Sequence, residues 1–139
     1  MEIFFTDDTN INLAFYIREE VFIKEQGIPK HTEIDGSDKY AKNVILTIDN
    51  KPIGTGRLIE INKKMYIGRV AILKDYRNKG YATNLIKFLL KEAKNMGFKE
   101  VFIHAQSYAK NFYEKLGFKQ LGEEFLEANI PHINMKIKL

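Results

Sequence analysis

The sequence of 139 residues contains no cysteine, no long hydrophobic run and few arginines. The lack of cysteine excludes disulfide bonds, thiolate metal sites and a cysteine nucleophile. No apolar stretch approaches the ~18 residues that a membrane-spanning helix needs. The N-terminal residues 1–8 are acidic and soon polar, unlike a signal peptide. These absences predict a cytoplasmic protein with no bound metal and no membrane partner.

The scarcity of arginine bears on nucleic acid as a partner. The net charge is +4 and the isoelectric point is near 9.1, but eighteen of the 22 basic residues are lysines, scattered among 18 acidic residues. Surfaces that read bases usually depend on arginine, so no nucleic-acid partner is expected. A polyanionic small ligand or a lysine-rich solvated surface explains the mild positive excess equally well.

Hydrophobic periodicity predicts a mixed α/β sheet in a single domain, residues 1–139. The pattern gives six or seven strands and about four helices, with a right-handed crossover through the helix at 81–96 joining two parallel strands. Asp8 or Thr9 is expected to cap the first helix, and Ser107 a short later one. The expected elements are strand 3–5, helix 10–22, loop 24–39 with room for one helical turn, strands 43–48, 51–61 and 65–73, helix 81–96, strand 100–106, a short helix before Gly117, and strands 118–125 and 132–138.

One segment carries the clearest chemical signal. The predicted buried strand Val70–Leu73 leads into the basic stretch Arg77-Asn78-Lys79-Gly80-Tyr81-Ala82, where the longest helix begins. The first turn of a helix has unpaired N–H groups and a partial positive charge, and Gly80 permits close backbone approach. The stretch predicts a phosphate or pyrophosphate site, with an ordinary polar turn as the alternative.

Other phosphate-binding motifs do not fit the sequence. The P-loop pattern G-x-x-x-x-G-K-[ST] is absent. The stretch Gly54-Thr55-Gly56 begins like a dinucleotide-binding fingerprint but continues with the pattern of a strand. The stretch that ends at Ala82 is therefore the one candidate for an anion site.

That stretch also carries a family resemblance. Arg77-x-x-Gly80-x-Ala82 resembles the R/Q-x-x-G-x-G/A signature with which the GNAT acetyltransferase superfamily binds the pyrophosphate of acetyl-CoA. Residues 109–118, AKNFYEKLGF, resemble the A-x-x-F-Y-x-x-x-G-F motif of the same superfamily. The two motifs occur in the expected order and at a typical separation.

The resemblance covers essentially the whole chain and extends to one branch of the superfamily. Segments 18–26, 33–36, 105–106 and 130–132 are similar to the ElaA/YjcF branch, whose substrates are poorly defined. The resemblance implies a GNAT-like fold with acetyl-CoA as co-substrate, in which the central strands splay apart at the cofactor cleft. The implied cofactor contacts are Val70, Ala71 and Ile72 at the pantetheine arm and thioester, Arg77, Asn78, Lys79, Gly80, Tyr81 and Ala82 at the pyrophosphate, and Gln106, Asn111 and Tyr113 as further contacts.

The implied chemistry is transfer of an acetyl group directly to a primary amine in a ternary complex. A backbone N–H of the strand ending at Ile72 would stabilise the oxyanion. Tyr113 would protonate or hydrogen-bond the departing thiolate, and the alternative is that its ring only packs. Gly68-Arg69 stands where the strand glutamate of many such enzymes is expected, so the general base is left among several residues. The candidates are His104 and Glu33, and then Asp35, Glu127 and His132.

The acceptor is expected to be a small-molecule or peptide amine. Glu25, Glu33, Asp35 and Asp38 form an acidic cluster that could attract a cationic acceptor, although a charged loop needs no function to exist. Replacing Glu33 by glutamine or Asp35 by asparagine is expected to raise the KM for the acceptor or to lower kcat, while the binding of acetyl-CoA stays almost intact. The residues assigned to the acceptor side are Arg18, Phe22, Glu25, Gln26, Asp35, Glu127 and His132.

Two other functions fit the same pattern. Acyl-homoserine-lactone synthases share a related core and a segment like residues 18–22, but they are longer and lack so clean an R-x-x-G-x-A. A CoA-binding module without catalysis is the second alternative, against which Tyr113 argues. The oligomeric state is left open, with a homodimer among the alternatives.

Overall fold

Seven strands and four α-helices account for most of the chain in the computed structural model, which describes residues 1–139. The element order is the predicted one, strand, helix, three strands, helix, strand, helix and two strands, with one further short helix, Lys30–Glu33, between the first helix and the second strand. The strands are β1 (Glu2–Phe5), β2 (Ala41–Ile48), β3 (Lys51–Ile61), β4 (Lys64–Ile72), β5 (Glu100–Gln106), β6 (Lys119–Glu127) and β7 (Ile130–Lys138). The helices are α1 (Ile11–Arg18), α2 (Lys30–Glu33), α3 (Tyr81–Asn95) and α4 (Lys110–Lys115).

The strands form one mixed sheet in the order β1-β2-β3-β4-β5-β7-β6. All neighbours are antiparallel except β4 and β5, which are parallel and joined through α3. Three hairpins turn at Asp49-Asn50, Asn62-Lys63 and Ala128-Asn129, each with positive φ at both residues, as a two-residue hairpin turn requires. The predicted mixed fold is confirmed.

Helix α3 packs its apolar stripe on β3 and β4. Leu85, Ile86 and Leu89 are fully buried in the main core. A side chain at Gly54 of β3 would meet the Cδ1 atom of Ile72 at 2.7 Å and that of Leu85 at 3.1 Å. The glycine therefore favours the close approach of helix and strand, which gives a structural reason for a motif that superficially resembles a nucleotide-binding fingerprint.

The N-terminal half departs from prediction in its helices. The helix expected over 10–22 is α-helical only to Arg18 and continues as a π-helical turn, Glu19–Glu25. Within the expected loop, α2 is the single helical turn that the sequence allowed, and a 3₁₀ turn, Ser37–Tyr40, follows it. Such π-helical turns concentrate at functional sites. No helix of the protein has both the length and the apolar character that crossing a membrane would require.

The predicted helix caps are wrong. Asn10 occupies the N-cap of α1 without a side-chain cap bond, and Asp7 Oδ1, not Asp8 or Thr9, accepts the local N–H bond, from Thr9. Ser107 begins a 3₁₀ turn before α4, and its Oγ is buried without a partner. In both places a short turn precedes the helix, which displaces the side chain from the capping position.

Candidate active site

A cleft of about 720 Å³ opens where β4 and β5 separate. The two strands pair only at Tyr66–Phe102 and Ile67–Ile103. From Gly68 to Ile72 the edge of β4 that faces β5 has no strand partner. The splayed central strands expected from the resemblance are therefore present, and they leave backbone polar groups free to bind a ligand.

A bulge in β4 lies where the two strands separate. Thr55 pairs with Ala71 but Arg57 pairs with Gly68, so that two residues of β4 oppose one of β3. Arg69 lies in the bulge with φ +51°, a value that side chains other than glycine rarely adopt. Bulges bend a strand and redirect side chains, and they are frequent beside active sites.

The predicted phosphate-binding stretch, residues 77–82, which we call the anion loop, has free hydrogen-bond donors. Asn78 and Gly80 have φ of +63° and +86°, and Gly80 is the N-cap of α3. The N–H groups of Tyr81, Ala82 and Thr83 make no backbone hydrogen bond and receive no side-chain cap. A Cβ at Gly80 would find no atom within 4 Å, so a ligand can approach the backbone there. These residues fit the pyrophosphate that the motif predicts.

The π-helical turn ends at Glu25, which contacts Arg77, and the next residue, Gln26, contacts Gln106 at the end of β5. Glu25 forms a bidentate pair with Arg77, at 2.7 and 3.0 Å, and this hydrogen bond lowers the pKa of Glu25. Arg77 Nε also donates to the Ile72 carbonyl at 2.9 Å. Gln106 Nε2 donates to Gln26 Oε1 at 2.8 Å. The side chain of Arg77 is thus engaged with Glu25 and the Ile72 carbonyl, and the backbone N–H groups remain as donors of the loop together with the Lys79 ammonium, which lies over the Tyr76 ring.

Tyr113 lies on α4 with its ring packed between Phe112 and Phe118 and is 7% exposed. It lines the cleft, and its hydroxyl makes no hydrogen bond with another protein group. Burial, and to a lesser degree Tyr108, raises the pKa of Tyr113 well above its usual range. The phenol therefore keeps its proton, so it can donate a hydrogen bond but is a weak acid.

Two histidines flank Glu127 on the opposite wall of the cleft. His104 Nδ1 lies 3.1 Å from Glu127 Oε1, and this hydrogen bond lowers the pKa of Glu127. His132 Nδ1 lies 2.6 Å from the Ile130 carbonyl oxygen, so Nδ1 carries the ring proton and donates a hydrogen bond to that oxygen. The other ring nitrogen of His132, Nε2, is 3.6 Å from Glu127 Oε2. With Nδ1–H of His104 donating to Glu127, its Nε2 is free to accept a proton.

Three arginines and two acids form a buried arginine cluster, which consists of Arg18, Arg57, Arg69, Glu33 and Asp38. Arg18 is fully buried and bonds Glu33 Oε1 at 2.6 Å and both Asp38 oxygens at 2.8 and 3.1 Å. Although burial opposes the charge, the bonds to Asp38 and Glu33 raise the pKa of Arg18. Arg57 also pairs with Asp38, and Arg69 Nε lies 3.1 Å from Glu33 Oε2. Burial raises the pKa of Glu33, with the positive charges of Arg69 and Arg18 pulling it down.

Comparison with known proteins agrees with this geometry. The family model for the acetyltransferase (GNAT) domain matches residues 8–139. The chain belongs to the GNAT acetyltransferase family. It is 38% identical over 123 residues to YjcF of Bacillus subtilis strain 168, an uncharacterized N-acetyltransferase, covering 88% of each chain.

Solved GNAT-type structures share the whole fold. A candidate N-acetyltransferase from Lactobacillus plantarum superposes with a TM-score of 0.92 at 30% identity, covering 99% of this chain and 97% of that one. ElaA of Escherichia coli superposes with a TM-score of 0.89 at 24% identity, covering 99% of each. The resemblance to the ElaA/YjcF branch is confirmed.

The cleft of this GNAT domain is lined by most of the predicted site residues. Those that line it are Val70, Ala71, Ile72, Arg77, Gln106, Tyr113, His104, Glu33, Phe22, Gln26, Asp35, Glu127 and His132. Those outside its lining are Asn78, Lys79, Gly80, Tyr81, Ala82, Asn111, Arg18 and Glu25. Of residues 77–82, only Arg77 therefore lines the cleft. Arg18 is fully buried behind Glu33, so it holds the acids in place and is not available to touch an acceptor.

Sequence reasoning misses Arg57 and Arg69 as site residues, although both line the cleft from β3 and β4. A signal exists for Arg57, because an arginine amid the apolar residues of a predicted strand must be paired. For Arg69 the sequence shows only that it stands where a glutamate is expected.

Replacing Arg18 by methionine tests the cluster. We expect Arg18→Met to lower the free energy of unfolding by about 3–5 kcal/mol, because it leaves Glu33 and Asp38 buried without their shared partner. Urea denaturation measures the change. Lys24→Met, which removes an exposed pair with Glu20, should leave the midpoint almost unchanged. A stable Arg18→Met protein would show that the cluster contributes little to folding.

Proposed function

We propose that this GNAT domain transfers the acetyl group of acetyl-CoA to a primary amine by direct attack in a ternary complex. The observation that carries the proposal is the unpaired edge of β4, Gly68 to Ile72, which leads to the free N–H groups at the start of α3. An unpaired strand edge followed by free N–H groups at a helix start suits a long, amide-rich ligand that ends in a pyrophosphate.

The strand edge and the helix start have different tasks. The N–H groups of Tyr81, Ala82 and Thr83 would bind the pyrophosphate, aided by the positive end of the α3 dipole. The edge at Val70 to Ile72 would bind the pantetheine arm and hold one N–H against the thioester oxygen, where negative charge develops. Bound acetyl-CoA supplies the activated acetyl group.

Direct attack is supported by the lack of a suitable protein nucleophile in the cleft. The chain has no cysteine. Ser37 Oγ accepts a hydrogen bond from Arg57, and Ser107 lies outside the cleft lining. The amine would therefore form the C–N bond itself as the C–S bond breaks, and the proton that it loses must be accepted nearby.

His104 is the base that we assign to that proton. Its Nε2 has no protein partner, and Glu127 orients the ring from the other nitrogen, as the third member of a nucleophile–base arrangement does. Glu33 is less suited, because its two carboxylate oxygens face Arg18 and Arg69. His132 is mostly buried and donates to the Ile130 carbonyl.

Tyr113 would stabilise the leaving thiolate by donating a hydrogen bond. An unperturbed thiol has a pKa near about 8.5 and a phenol one near about 10, and burial raises the pKa of Tyr113 further. Complete proton transfer from the phenol to the thiolate is therefore uphill. A charge-assisted hydrogen bond needs no such transfer.

Steady-state kinetics with acetyl-CoA and a panel of amines tests the function. Varying both substrates should give intersecting reciprocal plots, because both must be bound before the acetyl group moves. Mass spectrometry of the protein with acetyl-CoA alone should detect no acetyl adduct. Parallel reciprocal plots with an acetylated protein would exclude direct attack. Binding of acetyl-CoA with no turnover of any amine would favour a binding module.

Tyr113→Phe tests the role of the hydroxyl. We expect kcat to fall about ten- to a hundredfold, the value of one hydrogen bond to a charged group. Melting temperature should not fall, since the hydroxyl has no protein partner to lose. Because the pKa is raised, wild-type kcat should also show no loss near pH 10 from ionisation of Tyr113. An unchanged kcat in the variant would make Tyr113 a packing residue.

A further inference from the structure

The arginine cluster has hydrogen-bonding capacity that the fold does not use. Its three guanidinium groups face two carboxylates, and each carboxylate already contacts two arginines. Glu25, another member of the acidic set in the sequence, is paired with Arg77. Three of the four acids therefore do not offer free oxygens to a cationic acceptor.

Arg57 is buried with an unused donor. Its Nη1 bonds Ser37 Oγ at 2.9 Å and Asp38 Oδ1 at 3.1 Å, but its Nε is buried without a partner. The residue is 7% exposed and lines the cleft. Burial, and after it the positive charge of Arg69, lowers the pKa of Arg57. An anion entering from the cleft would pair this donor and offset the repulsion.

Arg69 is only loosely held beside it. Its Nε lies 3.1 Å from Glu33 Oε2 without hydrogen-bond alignment, and its Nη2 approaches the Thr32 and Glu33 carbonyls at 3.5 and 3.3 Å. The two distances from Nη2 to the carbonyl oxygens exceed the usual range for N–H···O hydrogen bonds. Arg69 directly precedes Val70, where the unpaired strand edge would meet the thioester. A carboxylate bound here lies close to the reacting carbon.

The cleft also separates charge across its width. Glu127 and His104 form the opposite wall, on β6 and β5. Asp35 is at the rim on the arginine side, where its Oδ1 accepts the N–H of Ser37. One wall thus presents unused guanidinium donors, and the other presents a carboxylate and a base. That arrangement suits a molecule that carries both a carboxylate and an amine.

We propose that the acceptor is a small amino acid, whose carboxylate is bound by Arg57 and Arg69 while its amine faces the His104–Glu127 wall. This inference rests on the acetyl transfer proposed above. The C–N bond forms as the C–S bond breaks, which gives an N-acetyl amino acid and the thiolate of CoA. The amine proton passes to the base, and the thiolate, which accepts a hydrogen bond from Tyr113, takes up a proton from water. A polyamine or amino sugar would leave the arginine donors unpaired.

Matched amines test the inference. The wild-type protein is assayed with acetyl-CoA and the standard amino acids, β-alanine and γ-aminobutyrate, each beside the amine that lacks the carboxylate, and with spermidine and glucosamine. The best acid should exceed its matched amine at least about tenfold in kcat/KM. Equal or better turnover without the carboxylate, or turnover of spermidine or glucosamine alone, would overturn the inference and leave acetyl transfer intact. No turnover of any amine would overturn both.

Arg69→Gln identifies the carboxylate contact with the best amino acid of that panel. Arg69 is chosen because 24% of its side chain is exposed, so that the variant is expected to fold. The KM for the amino acid should rise about ten- to a hundredfold, with the KM for acetyl-CoA within about twofold, and Arg69→Lys should restore part of the loss. Turnover of the matched amine should fall much less than turnover of the amino acid. An equal loss for acid and amine would mean that Arg69 has only a structural role.

Discussion

Gly80→Asp should abolish measurable binding of acetyl-CoA. The side chain would stand at the N-terminus of α3, in space that is open in the structure and that the pyrophosphate would occupy. A carboxylate about 4 Å from a phosphate charge costs about 4 kcal/mol at an effective dielectric constant of about 20, so affinity should fall at least about a hundredfold. Calorimetry with CoA and acetyl-CoA measures the loss.

The other end of α3 supplies a matched control. Gly97 also has positive φ, +94°, and a Cβ there would find no atom within 4 Å, so Gly97→Asp introduces the same charge with similar backbone strain. Its acetyl-CoA affinity should equal that of the wild type. Gly80→Ala separates strain from charge and should lose much less affinity than Gly80→Asp. If a folded Gly80→Asp protein bound acetyl-CoA with the wild-type affinity, the assignment of the pyrophosphate to this loop would be wrong.

His104→Gln should lower the rate at pH 7 by about 10²–10³-fold, within the usual contribution of a general base. A primary amine with a pKa near about 10 is deprotonated in only about one molecule in a thousand at pH 7. The variant depends on that fraction, so its deficit should shrink as the pH approaches about 10, where free amine is abundant. Paired pH–rate profiles of wild type and variant test this.

His31 provides the control for this substitution. It is exposed on α2 and does not line the cleft, so His31→Gln should leave the pH–rate profile unchanged. Acetyl-CoA affinity should be unaffected in both variants. A deficit that is constant across the pH range would assign His104 to binding or packing, and the base would have to be sought at Glu33 or in bound water.

The predicted anion loop illustrates what a local pattern determines. Strand, turn and helix follow each other within residues 70–82, and the geometry of a helix start depends only on residues within one turn. The sequence therefore predicts both the free N–H groups and the close backbone approach that Gly80 permits. The same locality explains why β3 and β5 have the bounds expected from their apolar patterns. Prediction is weaker at residues 19–40, where polar residues occupy short π, α and 3₁₀ turns whose form depends on packing.

The acceptor side shows the limit of such reasoning. Along the chain, Glu25, Glu33, Asp35 and Asp38 have the pattern of a free acidic loop, and in the fold three of them are paired with arginines. Those partners lie 15–52 positions away in the sequence, on α1, β3, β4 and the anion loop.

The sequence by itself determined the order of the elements, the mixed sheet, the family and the anion loop, because each rests on periodicity or on a motif of a few neighbouring residues. Only the tertiary structure decided which charges neutralise each other and which remain free in the cleft. Ion pairs form between groups that packing brings together, and a bulge at Arg69 or a histidine beside Glu127 depends on the register of strands distant in sequence. The sign of the charge that the cleft offers an acceptor is therefore a property of the fold.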